Sequence, residues 1–60
     1  METYYGVIYF KDGHTVETGG FSGPGAEKSC ERHTYMMFEQ YMKTAISPFF
    51  EPSRYIVKAK

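Results

Sequence analysis

Cys30 and His33 stand three residues apart in a segment of helical periodicity, and His14 is the one other histidine. A thiol beside an imidazole could make a nucleophilic pair, and one Cys with two His could begin a metal site. Structural zinc takes four ligands, typically paired Cys or His, so this set cannot close a site without carboxylates or a second copy. A reactive thiolate needs an open, electropositive cleft, which a domain with a single helix rarely offers. Cys30 therefore reads as a small buried hydrophobe. Gly20 to Gly25 (GFSGPG), followed by Lys28 and Ser29, has the outline of a phosphate loop. The working motif sets Lys and Ser/Thr directly after its last glycine, so that backbone N–H groups, ammonium and hydroxyl converge on one phosphate. Here Ala26 and Glu27 intervene and turn Lys28 away, and Pro24 removes an N–H donor, so a nucleotide site is rejected. A looser attraction for anions at the helix N-terminus stays open. Glu27, Glu31 and Glu39 alternate with Lys28, Arg32 and Lys43 along a solvated face, with no carboxylate pair suited to acid–base work. No catalytic residue, metal or cofactor is expected, and the chain reads as a non-enzyme.

The remaining chemistry is that of surfaces. Stepping ~100° per residue along a helix, Ala26, Cys30, Thr34, Met37, Tyr41 and Thr44 share one stripe, which Tyr35, Phe38, Met42, Ala45 and Ile46 widen to nearly half the circumference. A helix on one small sheet needs an apolar stripe only a little wider than ~100°. Tyr35, Met36, Met42 and Ile46 are therefore surplus, to be covered by the chain's own loops, by a second copy or by another protein. A second candidate surface comes from the first strand. Tyr5, Val7 and Tyr9 point away from the helix in the preferred hairpin register, joined by Tyr55 or Ile56. With Lys11, Arg54, Lys58 and Lys60 around it, that aromatic face has the outline of a platform for single-stranded nucleic acid. Against it stands the charge: seven Lys plus Arg balance seven Asp plus Glu, whereas small nucleic-acid binders are usually clearly basic.

These surfaces need elements to carry them. Sixty residues make one domain of marginal stability, and a single cysteine excludes an internal disulfide and suits a reducing compartment. Residues 1–3 lack the basic start of a signal peptide, and no run approaches the ~20 apolar residues of a membrane span. A free-standing cytoplasmic protein without membrane attachment is expected. Residues 4–10 (YYGVIYF) read as a strand, and Asp12-Gly13 signals a hairpin within residues 3–18. A turn with a bulge at Gly13 is preferred over a two-residue turn, because it puts Ile8, Phe10 and Val16 on one face and Glu17 in water. Residues 19–25 (GGFSGPG) are a breaker cluster that should form neither strand nor helix, with Ser22 as cap and Phe21 as hydrophobic anchor for a helix over residues 26–46. Pro48 should end that helix. Residues 53–59 alternate Tyr55, Val57 and Ala59 with Arg54, Ile56 and Lys58 as a last strand, parallel or antiparallel. The expected fold is a small ββαβ domain of the α+β class, one long helix on a three-stranded sheet. Its expected core is Ile8, Phe10, Val16, Cys30, Met37, Phe38, Tyr41 and Val57.

In length and element order the chain resembles the small strand–strand–helix–strand inhibitors that phages direct against host enzymes. That resemblance implies an intracellular viral protein acting as inhibitor or modulator of a larger host protein such as RNA polymerase. The leading expectation is thus a protein-interaction module, with self-association as a homodimer a further option. Its interface would draw on Tyr35, Met36, Met42, Ile46, Tyr5 and Tyr9. The alternative is a nucleic-acid-binding module using Tyr5, Tyr9, Lys11, Arg54 and Lys58.

Overall fold

The computed structural model describes residues 2–45 and 51–60. The elements run β1 (Thr3–Phe10), β2 (Thr15–Glu17), β3 (Phe21–Ser22), α1 (Ala26–Thr44) and β4 (Pro52–Ala59). The result is a small α+β domain, one helix packed against an antiparallel sheet, with four strands where three were expected.

β1 is the centre of everything. β4 pairs antiparallel along one of its edges, from Tyr4 opposite Ala59 to Tyr9 opposite Arg54, which settles the direction the sequence left open. The other edge is shared: β2 pairs through Val7–Glu17, Ile8–Val16 and Tyr9–Thr15, and β3 through Thr3–Ser22 and Tyr4–Phe21. The register slips by one residue between these two segments, so β2 and β3 act as one strand broken at its middle. At the break, Thr18 N–H still donates to the Gly6 carbonyl (2.9 Å), but Gly6 N–H donates to the Thr18 side-chain oxygen (2.8 Å). The expectation that residues 19–25 contain no strand is therefore corrected at Phe21 and Ser22. Glycine disfavours a strand interior, but the ladder resumes beyond the glycines because Thr18 has bridged the gap.

The hairpin follows the bulged register. Gly13 N–H donates to the Phe10 carbonyl and Phe10 N–H to the His14 carbonyl, both at 3.0 Å. Gly13 sits at φ +102°, where a side chain would be strained, and the Asp12 carboxylate accepts the His14 N–H (3.1 Å). Ile8, Phe10 and Val16 consequently face α1, and Glu17 is exposed.

Two further expectations at the ends of α1 are corrected. Its N-cap is Gly25, with no side-chain cap hydrogen bond; Ser22 is held in β3, its hydroxyl 3.0 Å from that of Thr3. The helix ends at Thr44, with Ala45 already extended, two residues short of the expected end at residue 46. Beyond the undescribed residues 46–50, the Glu51 carbonyl accepts the Lys11 N–H (3.0 Å). Ile46 and Pro48 lie outside the described residues. β4 starts one residue early, at Pro52, a position where a strand tolerates the missing donor.

The core is narrower than the sequence implied. Ile8, Cys30 and Thr34 are fully buried, followed by Val7, Phe10 and Ala26. Of the expected set, Val16, Met37, Phe38, Tyr41 and Val57 are only half-buried, since one helix cannot cover both margins of the sheet. Val7 is buried on the face away from α1, flanked by Ile56 and Glu17 on the neighbouring strands. The tightest approach is Thr34 against Gly6. A Cβ at position 6 would overlap Thr34 Oγ1 and come within 2.8 Å of Thr34 Cβ.

Gly6→Ala is accordingly expected to destabilise the fold by about 3 kcal/mol, the upper end for overpacking. Adding Thr34→Ala should restore part of the loss. Urea titration of the two single variants and the double variant measures the coupling; strict additivity would show that Gly6 and Thr34 do not meet.

Candidate interaction surface

The alternation of β1 and β4 sorts their side chains into two faces. Tyr4, Gly6, Ile8 and Phe10, with Tyr55, Val57 and Ala59 beside them, face α1, while Tyr5, Val7, Tyr9, Arg54, Ile56 and Lys58 face away. Of the two residues left open for the outer face, Ile56 lies on it and Tyr55 does not. Tyr55 instead meets Phe38 and Tyr35 of α1, with ring centroids at 5.2 and 6.1 Å.

Those contacts fix the rotation of the helix. Tyr35, Phe38 and Met42 recur at i, i+3 and i+7 and lie over the β4 side. On the opposite flank, His33 rests against Phe21 (5.5 Å between centroids), and Tyr41 meets Phe10 edge to face (4.9 Å). The helix overhangs the sheet on both sides. Tyr35 is 46% exposed, Met36 59% and Met42 54%, the large hydrophobics most open to solvent among the described residues. Three of the four surplus residues thus lie in the open, and Ile46 falls outside the described residues. On the Met36 side, His33, Met36, Met37, Gln40 and Tyr41 line an open cleft of about 350 Å³. Its members follow helical spacing: the sequence marks Met36 as surplus, Met37 and Tyr41 as core and His33 only as a partner for Cys30, and the narrowness of the sheet is what brings them to one open cleft.

The outer sheet face brings tyrosines and cations together. The Arg54 guanidinium lies 4.2 Å above the centre of the Tyr9 ring, and the Lys60 ammonium 5.8 Å from that of Tyr5. Each cation rests on the negative face of a ring. Lys58 sits on the same face, opposite Tyr5. Lys11 is drawn off to the hairpin end, where its ammonium pairs with the Glu51 carboxylate.

The residues considered for catalysis are kept apart. Cys30 is sealed between helix and sheet, its sulfur 3.9 Å from Thr34 Oγ1, while Thr34 Oγ1 donates to the Cys30 carbonyl (2.7 Å). His33 is exposed at the β3 margin, and His14 lies at the hairpin, stacked on Phe10 at 4.2 Å. Among the described residues no three His, Cys, Asp or Glu side chains gather as metal ligands. Among the described residues two titrations are displaced, each by a surface hydrogen bond. The bond from Tyr4 to Glu2, reinforced by the Glu2 charge, raises the Tyr4 phenol above its ordinary value. Hydrogen bonds from the His14 side chain and backbone lower the Asp12 carboxyl. Asp12 therefore favours the folded hairpin above its unfolded pKa, a contribution lost as the pH falls through its folded value.

The burial of Cys30 makes its reactivity a probe of the fold. A thiol reagent should label the native chain slowly and the denatured chain at the rate of a free cysteine. Fast native labelling would place Cys30 at the surface and rotate the helix away from the arrangement described.

No described helix is long and apolar enough to cross a membrane. Compared with protein families, with curated proteins and with solved structures, the chain matches none.

Proposed function

We propose that this chain is a non-enzymatic protein-interaction module that docks on a larger protein through the exposed flank of α1. The observation that carries the reading is the exposure of Tyr35 and Met42 together on the β4-side flank of a helix whose neighbouring stripe already fills the core, with Met36 exposed on the back of the same helix. Large apolar side chains gathered on one element mark contact surfaces. Methionine supplies an adaptable contact, and tyrosine adds area at low entropic cost. The resemblance of the chain's length and expected strand–strand–helix–strand order to small phage inhibitors makes inhibition or modulation of a host protein such as RNA polymerase the form of this reading to test first.

A second reading, a nucleic-acid-binding module, rests on the outer face, where Tyr5, Tyr9, Arg54 and Lys58 lie together. Two features weigh against it. Arg54 already occupies the face of Tyr9 on which a base would stack, and Glu51 neutralises Lys11.

Replacing Tyr35 with Glu and Met42 with Lys distinguishes the readings. Exposed positions change stability by ~0.5 kcal/mol or less, so melting should shift by only a few degrees. Affinity for a protein captured on the wild-type chain should fall about tenfold or more, ~1.4 kcal/mol. Unfolding of the double variant would show that the flank is core. Binding of oligothymidylate that survives it, is lost in Tyr5→Ala/Tyr9→Ala and weakens steeply with salt would establish the nucleic-acid reading instead.

A further inference from the structure

We propose that the outward edge of β4 is a strand-addition site for an extended protein segment of alternating acidic and apolar residues. The proposal deepens the interaction reading above and rests on it, since it names the partner class that the overhanging flank of α1 would receive.

The argument begins with backbone hydrogen bonds. Lys60 N–H donates to the Thr3 carbonyl at 2.8 Å, so Lys60 turns its backbone groups toward β1. Along an antiparallel strand these groups alternate with period two. Lys58, Ile56 and Arg54 therefore also bond β1, and Tyr55, Val57 and Ala59 aim N–H and C=O outward. The other edge of β1 agrees: Gly6 and Phe10, of opposite parity to Thr3, bond Thr18 and His14. Among the described residues β4 pairs with β1 alone. An unpaired strand edge is a template for another chain.

Side chains around that edge specify what fits. Residues opposite one another in paired strands share a face. Partner residues opposite Tyr55 and Val57 would enter the corner beside Tyr35 and Met42, where α1 extends beyond the last strand; that corner calls for apolar side chains. Partner residues opposite Arg54, Ile56 and Lys58 would lie on the outer face. Arg54, Lys58 and Lys60 supply three positive charges there, and residues 52–60 contain no Asp or Glu. That face calls for carboxylates. A second copy of this chain fits poorly, because antiparallel self-pairing about Ile56 or Val57 sets Arg54 opposite Lys58 or Lys60 of the second copy, and like charges directly opposite are destabilising.

The test uses the full chain with a synthetic ten-residue peptide alternating Val and Glu. A Val/Lys peptide and oligothymidylate serve as comparisons. Amide exchange should slow at least tenfold at Val57 and Ala59 when the Val/Glu peptide saturates the chain, with no such change for the other two ligands. Val57→Pro deletes one outward N–H, a change an edge strand accepts, and should abolish binding. If that variant does not fold, Arg54→Glu with Lys58→Glu decides the matter: Val/Glu binding should drop at least tenfold and Val/Lys binding should appear. Failure of the Val/Glu peptide to bind, binding without protection of these amides, equal protection by oligothymidylate, or a dimeric mass with the same amides protected would each overturn the proposal. If the Tyr35/Met42 variant still loses its captured protein while Val57→Pro keeps it, the edge assignment fails and the flank reading stands. If the edge is protected as described but Tyr35 and Met42 prove irrelevant to protein capture, the reverse holds.

Discussion

The seating of Thr34 on Gly6 governs the rest of this structure. With no side chain at position 6, the helix backbone comes close to β1, and the Thr34 hydroxyl fills the space where a Cβ would stand. The same hydroxyl returns its hydrogen to the Cys30 carbonyl one turn earlier, so a polar side chain is buried without a lost bond. Around that point Ile8, Cys30 and Ala26 close with little or no solvent exposure. Interiors so closely packed transmit small volume changes directly.

Close approach at the centre has a consequence at the margins. A helix pulled down onto one strand sits over the middle of the sheet, and its sides project past it. Tyr55 rises to meet Tyr35 and Phe38 on one side, and Phe21 meets His33 on the other, but neither edge has a further strand to fill the corner among the described residues. The exposed Tyr35, Met36 and Met42 therefore follow from the Gly6 contact and from the small width of the sheet together. The outer face is handled differently. Val7 is covered by its neighbours, and the tyrosines beside it carry cations on their rings, which screens aromatic surface with charge.

Much of this was legible in the residues. The surplus on the helix could be named because helical spacing places every residue on a known side of the cylinder, and the exposure of Tyr35, Met36 and Met42 agrees with that spacing. The bulged hairpin was legible because only one register gives Ile8, Phe10 and Val16 a common face. β3 was missed because its signal is two residues inside a glycine-rich stretch; its pairing depends on Thr18 replacing a backbone acceptor with its side chain, a tertiary substitution that no local pattern announces. The cap failed for a related reason. Ser22 has the right chemistry for capping, but Thr3 claims its hydroxyl.

Sequence alone determined the periodicities, the turn at Gly13, the alternation of β4 and the number of apolar residues that one helix and one sheet must hide. Each of these is a local property, set by the geometry of a helix or strand and by the reach of single side chains. Tertiary structure decided which edge of β1 receives β4, that β4 runs antiparallel, how far the helix sinks at Gly6, and hence which apolar residues remain outside. Those outcomes depend on contacts between segments far apart in the chain, whose energies are fixed only when all the segments pack at once.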